Sequence, residues 1–451
     1  MRKIGMLGLW ILSAAAAGAQ TLEERVQVLE KHLEGGDGEA PDPGSPAAQA
    51  LSKKIEVFFS EGLKFRSGDS NFEAHIGGRV IFHGRFFNSE NERGKRDTFG
   101  FRQVKLNMQG RIWQDWTFKV ELSTTGTPVA LDDGYVGFEK WTWLKLWAGQ
   151  FKAPQSLEEL TSTRFIDLPE RSCLNRLVQG RDVGLMVHGE PVEKLLGYQV
   201  MLANGNGRNG PDENSDKDVF TRVWVRPLAT ALPDSRWFRN LHFGASVNYG
   251  RRDLAANTLP YTFQSIFNQT TFANAGAALP SIKFDDSRWR YAGEFAWLFG
   301  PGSIKAEYLR TNDQFTNLNN GTHHHTHITS YVVSATVLVT GEDKTWDRIR
   351  PDRPLFGSAG GFGAVELAAR FGRFEFNRDM LDKGYLDRDT SARVVDEVAV
   401  GINWFPNMNT RVSVAYAYEK YRSDAHTDPI LISGRRKDHC DVFLFRVQVD
   451  F

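Results

Sequence analysis

The chain ends on a strict alternation, and that ending limits its fold more than any other feature. Phe443, Phe445, Val447, Val449 and Phe451 fall on one parity, and Leu444, Arg446, Gln448 and Asp450 on the other. A period of two is the repeat of a strand whose faces meet different surroundings. The same texture recurs upstream. Leu241, Phe243, Ala245, Val247 and Tyr249 alternate with His242, Gly244, Ser246 and Asn248. Trp289, Tyr291, Phe295, Trp297 and Phe299 alternate with Arg290, Ala292, Glu294 and Ala296, and Val412, Val414, Tyr416 and Tyr418 with Arg411, Ser413, Ala415 and Ala417. Faces this apolar invite aggregation in water and are satisfied by lipid tails. No later segment supplies the ~20 apolar residues of a transmembrane helix. An all-β, antiparallel transmembrane barrel is the architecture that meets both conditions.

Reading back from Phe451, sixteen strands are expected near 72–87, 101–112, 116–123, 133–141, 143–150, 182–190, 195–203, 217–227, 240–250, 288–299, 302–310, 328–340, 361–374, 393–404, 410–420 and 441–451. Short connections such as 113–115, Thr142, 300–301 and 405–409 alternate with long ones at 88–100, 151–181, 251–287, 311–327, 375–392 and 421–440. Short periplasmic turns opposite long external loops are the asymmetry of outer-membrane barrels, and an even strand count returns both termini to the periplasm. A barrel of about sixteen strands is wide enough to hold water. A tube this wide conducts unless something plugs it.

The N-terminal segment has its own pattern. Met1-Arg2-Lys3, the apolar run to Ala17 and the small residues Ala17-Gly18-Ala19 predict a secretory signal peptide over 1–19, with the mature chain starting near Gln20. Leu22, Val26, Leu29 and Leu33 form an a/d stripe over 20–34, which reads as a short periplasmic coiled-coil helix or a lone amphipathic one. Residues 35–53 read as a flexible linker, leaving 54–451 for the barrel. Cys173 and Cys440 lie far apart, and an oxidising compartment permits either a disulfide or two free thiols.

With the apolar parity outward, the lumen set is Arg79, Arg85, Lys105, Arg111, Lys119, Arg222, Arg226, Arg290 and Arg370, interleaved with Glu121, Glu139, Glu294 and Glu366. Arginine stays protonated and presents a planar fork to oxyanions, so a file of such groups draws anions into a tube. Cross-lumen ion pairs with the glutamates are the competing use of the same residues. Trp141, Trp143, Trp147, Tyr416 and Tyr418, near strand ends, suit interfacial girdles. Trp224 and Phe220 alone fall on the lumen parity, too few for a sugar track. The run His323-His324-His325 and His327 is placed in a loop, with no carboxylate at coordinating spacing, so no metal or other cofactor is expected. Overall charge is balanced at 55 basic and 55 acidic residues, which gives no ground for nucleic-acid binding.

Several segments resemble the phosphate-selective porin O and P family: Gly77-Gly78-Arg79, Gly149-Gln150-Phe151-Lys152-Ala153-Pro154, Gly180-Arg181-Asp182-Val183-Gly184 and the run from Gly363 to Phe371. With the terminal strand, the likeness spans the chain from about residue 54. It implies a homotrimer of sixteen-stranded barrels in outer-membrane lipid, external loops folded inward, and arginines and lysines lining a constriction for small anions such as phosphate. On that reading Lys152, Arg164 and Arg171 of the 151–181 loop join the anion-binding set, and Arg79, Arg164 and Arg370 stand out by falling on the family-like segments or the loop. The chain departs from the pattern at Glu158-Glu159, where lysine is expected, so the loop is nearly charge-balanced. The leading expectation is an anion-preferring porin. Its alternatives are a non-selective porin, a tether in which the coiled coil contacts the cell wall, and, last, a barrel phospholipase. The outward parity is nearly free of the Ser and His that a phospholipase needs.

Overall fold

The computed structural model describes residues 54–451 except 88–96, 126, 127, 213, 257, 262, 268, 270, 357–359, 424–429, 433 and 434. The expected signal peptide, coiled-coil helix and linker lie outside the described residues. The main sheet has nineteen strands, of which Ile55–Phe59, Leu63–Ser67 and Ile282–Lys283 are short additions. The other sixteen form a closed antiparallel barrel, each strand paired to the next in sequence, and His439–Asp450 pairs back onto Phe72–Phe87.

Closure explains one glycine pair. Gly78 and Phe451 exchange both backbone hydrogen bonds, at 2.7 and 3.0 Å. A Cβ at Gly77 would stand 2.6 Å from the Phe451 carbonyl oxygen, and one at Gly78 would stand 2.8 Å from the Phe451 ring. Only residues without a side chain let the terminal strand seat there.

The outward parity is apolar and exposed around the wall, as Leu185 at 60% and Ile402 at 54% show, while the alternate residues are buried. The strands Phe72–Phe87 and Trp116–Ser123 have the expected limits. The largest departures lie toward the long loops, where Gly302–Asn317 and His323–Leu338 outrun the expected 302–310 and 328–340. The histidine run therefore opens a strand instead of lying in a loop. Successive side chains of a strand face opposite sides, which disperses the cluster.

Part of the interior is filled. Segment 153–180 folds inward, with a one-turn helix at Leu157–Leu160 and a 3-10 turn at Cys173–Leu177. Phe263 and Phe272, from a second long loop, pack against Phe374 and Phe376 on the wall. Cys173 and Cys440 both lie buried in that cluster, and no disulfide joins them.

Candidate functional site

A polar cavity of about 650 Å³ remains between the inward segment and the wall built by the first to seventh strands. Among the described residues, nine basic side chains line it: Arg79, Arg102, Lys105, Lys119, Lys152, Arg164, Arg171, Arg181 and Arg208. Three carboxylates face them, Glu121, Asp132 and Asp133. Even with Glu159, Glu170 and Asp450, which pair with these cations from behind the lining, positive groups remain in excess.

The wall charges form a connected lattice. Arg79 donates to Glu121 at 3.1 Å and to Gln103 at 3.0 Å, while Lys105 reaches Glu121 at 3.1 Å and also contacts Asp132. Asp133 receives Lys119 and Arg181, each at 2.6 Å. Two β-bulges crowd charge into this region. Arg102 is the unpaired extra residue between Ile81 and Phe82, and Asp132 the one between Glu121 and Leu122. A bulge re-aims the side chain it inserts. Strict parity points Arg102 at lipid, yet its guanidinium meets the inward Glu170 at 2.9 Å.

Opposite the wall, the inward segment is clamped from all sides. Glu307 accepts from Ser156 Oγ and from the backbone N–H of Leu157 and Glu158, at 2.6–2.9 Å, neutralising the start of the short helix. Lys152 donates to the carbonyls of Leu160 and Thr161 at its far end. Asp167 lies 3.0 Å from both Lys305 and Lys344, and Glu170 lies 2.7 Å from Arg85. Arg411 and Arg446 donate to backbone carbonyls of Ile166 and Thr163. The two glutamates that break the expected pattern are used within the segment: Glu158 accepts from Ser172, and Glu159 pairs with Arg171 at 3.2 Å.

Burial pushes the Asp167 and Glu170 carboxyls up, but Lys305 and Lys344 around Asp167, and Arg102, His83 and Arg85 around Glu170, overcome it and hold both well below the usual carboxylate range. A depressed carboxylate stabilises the fold above its unfolded pKa and loses that contribution as pH falls through the lower folded value. Proteolytic nicking of the 153–180 segment in purified barrels is therefore expected to stay constant from pH 7 to about pH 4.3, the ordinary glutamate pKa, and to rise only in stronger acid. A rise already at pH 6 would refute the clamp.

The candidates thus divide. Arg79, Lys105, Lys119, Lys152, Arg164 and Arg171 line the cavity, the last two from the segment itself and Lys152 also holding its helix. Arg85 and Arg370 instead act as clamps: Arg370 is buried, bonded to Glu397 at 2.7 Å and to the Glu170 carbonyl at 2.8 Å, beneath the segment. Arg222 is closed into a fork with Glu294, Arg226 pairs with Glu190 at 3.4 Å, and Arg290 is buried against Asn248 and Gln179. Arg111 is exposed, with no ion-pair partner among the described residues. Trp147 is not at an interface: it turns inward, stacks on Tyr135 at 4.3 Å and lines the cavity. Gly149, at φ +134°, permits that packing, since a Cβ there would stand 2.2 Å from the Gly134 carbonyl oxygen. Of the residues the parity argument left out, Arg102 had no sequence signal beyond the bulge, Arg181 sat on a family-like segment, and Arg208 lies in a loop that parity does not address.

Comparison with known proteins follows this geometry. The family model described as phosphate-selective porin O and P matches residues 75–451. Porin O of Pseudomonas aeruginosa is 23% identical over 421 residues, covering 86% of this chain and 91% of that protein. An uncharacterised protein of Caulobacter vibrioides is 24% identical over 430 residues, 91% of this chain and 80% of that one. Among solved structures, the trimer form of the Vibrio cholerae outer membrane protein OmpT aligns with a TM-score of 0.52 at 12% identity, over 84% of this chain and 99% of that one. The outer membrane channel DcaP of Acinetobacter baumannii aligns with a TM-score of 0.52 at 9% identity, over 84% and 98%. These two likenesses concern the barrel alone.

Proposed function

The chain belongs to the phosphate-selective porin O and P family, and from that premise we propose that its anion preference is set in the 650 Å³ cavity between the first to seventh strands and the inward segment. It is an anion-preferring outer-membrane porin, a channel rather than an enzyme. The observation that carries the siting is the excess of nine cations over three carboxylates on the cavity lining, among the described residues. A low-dielectric wall focuses that field and raises the local concentration of anions. Mutual neutralisation within the lattice keeps each site shallow, so that an anion can leave as well as enter. Arg79, Arg102, Lys105, Lys119, Arg164 and Arg181 are the groups assigned to this work, with small oxyanions such as phosphate as the solutes. A homotrimer in which the long loops face outward and the N-terminal helix lies in the periplasm, within reach of the cell wall, completes the reading.

The test is the reversal potential of the purified protein in a planar bilayer across a potassium chloride gradient, repeated with added phosphate. An anion-selective potential, and chloride current reduced by phosphate at lower concentration than chloride itself, is the expected result. Zero potential in the gradient would mean that the lattice neutralises itself, and the channel would then be a general porin.

A further inference from the structure

We infer that the outer wall of the eleventh to sixteenth strands carries a binding site for an anionic, phosphate-bearing lipid, with an acyl chain in a wall groove and the headgroup on a basic rim above it. The inference rests on the barrel reading above, not on the ion preference of the pore.

The groove is a recess of about 630 Å³ in the outward face. Small residues make it: Ala335 and Ala369 are direct cross-strand partners, and Val400, Val414 and Tyr416 continue the floor and flank. Leu367 at 42%, Val400 at 48% and Val414 at 50% exposure present it to the surroundings of the barrel. On the ninth and tenth strands the outward parity carries large residues at Phe243, Phe295, Tyr291 and Trp297, interrupted by one small pair, Ala245 and Gly293. A concave strip of this size among them fits a flexible hydrocarbon chain, which needs shape but no polar partner.

The same strands, followed toward the long loops on the same parity, become charged. Ala369 leads by four residues to Arg373, and Tyr416 by four to Lys420, a rise of about 13 Å at the strand repeat. Phe371 and Tyr418 stand between, and Tyr331 lies level with Arg373, where aromatic rings favour a lipid interface. The rim holds Arg310, Arg373, Arg393, Lys420 and Arg422 against Glu375, Asp396, Asp438 and Asp441. Among the described residues its carboxylates are unevenly shared. Asp396 is shared by Arg373 and Arg422, so one carboxylate serves two guanidiniums, and Arg422 remains 55% exposed. Arg310 bonds only to Asn312, at 3.2 Å, among the described residues. A phosphate placed there accepts the forked hydrogen bonds that the single carboxylate cannot satisfy. A free phosphate would have no use for the groove, and a neutral lipid none for the rim; their stacking on one face selects a lipid with both parts.

Native mass spectrometry of the full-length protein in non-ionic detergent, titrated separately with bis-phosphorylated lipid A and with phosphatidylcholine, tests this. Wild type is expected to retain about one lipid A per chain, at concentrations at least fivefold below those needed for phosphatidylcholine. Ala369→Trp, which fills the groove, and the pair Arg373→Ala with Arg422→Ala, which empties the rim, should each weaken lipid A retention at least fivefold while leaving oligomeric state and bilayer conductance unchanged. Equal retention by wild type and both variants would overturn the site. If Ala369→Trp instead disrupts an oligomer and leaves lipid A binding intact, the groove belongs to a contact between copies of this chain and the lipid proposal fails. Loss of anion selectivity in wild type would refute the pore assignment and leave this result standing, because the two surfaces lie on opposite sides of the wall.

Discussion

Replacing Lys119 and Arg164 together by glutamate is expected to lower the anion-to-cation permeability ratio about tenfold, equivalent to about 1.4 kcal/mol on the relative barrier. These are partly exposed cations of the cavity, at 23% and 24%, and neither is sealed into a buried fork as Arg222 is. The double change takes the lining from nine cations against three carboxylates to seven against five. A contact pair is worth about 1 kcal/mol in water and about 4 at an effective dielectric near 20. An aqueous cavity lies between these limits, and mobile counter-ions screen part of the change. The measurement is the shift of the reversal potential across a salt gradient, with unit conductance as a check that the channel stays open. The same pair of changes at Arg222 and Arg226, whose partners are Glu294 and Glu190 and which do not line the cavity, should move the ratio much less. Equal shifts from both pairs would remove selectivity from the proposed cavity and spread it over the whole tube.

Glu170→Ala should have the largest structural effect of any single change in the inward segment. Its carboxylate is 1% exposed and receives Arg85 at 2.7 Å and Arg102 at 2.9 Å, with His83 at 3.5 Å. Removing it leaves two guanidiniums partly buried without their counter-charge, a loss on the order of 3–5 kcal/mol. The barrel, held by sixteen paired strands, should survive. The segment should not remain tightly seated, so trypsin is expected to cut after Arg164, Arg171 or Arg176 at least tenfold faster in folded barrels. Single-channel current should become larger and noisier as the cavity wall loosens. Glu170→Gln, which keeps the shape and discards the charge, should reproduce most of both effects. Wild-type proteolysis and quiet current in both variants would show that Arg411, Arg446 and Glu307 hold the segment without Glu170.

The barrel was legible in the chain because each strand carries its instruction locally. Phe443 to Phe451 and Leu241 to Tyr249 alternate residue by residue, and lipid on one side with water on the other leaves a strand few alternatives. That local rule and the even count of strands follow from order along the sequence, whereas the gap that Gly77 and Gly78 leave for Phe451 appears only on closure. The rule fails where a residue is inserted or a partner comes from far away. Parity sends Arg102 into lipid, and a bulge at that residue returns it to the lumen, because register depends on the neighbouring strand and not on the residue itself. Parity also treats Arg79 and Arg370 alike. Only the folded segment separates them, by laying the Glu170 carbonyl and Glu158 over Arg370 and leaving the cavity beside Arg79. The sequence alone thus determined which residues face inward wherever the alternation runs unbroken, since that is a local matter. Which of those inward charges line the cavity and which clamp a loop was decided by tertiary structure, since a charge's surroundings depend on which distant carboxylate or carbonyl the fold brings to it.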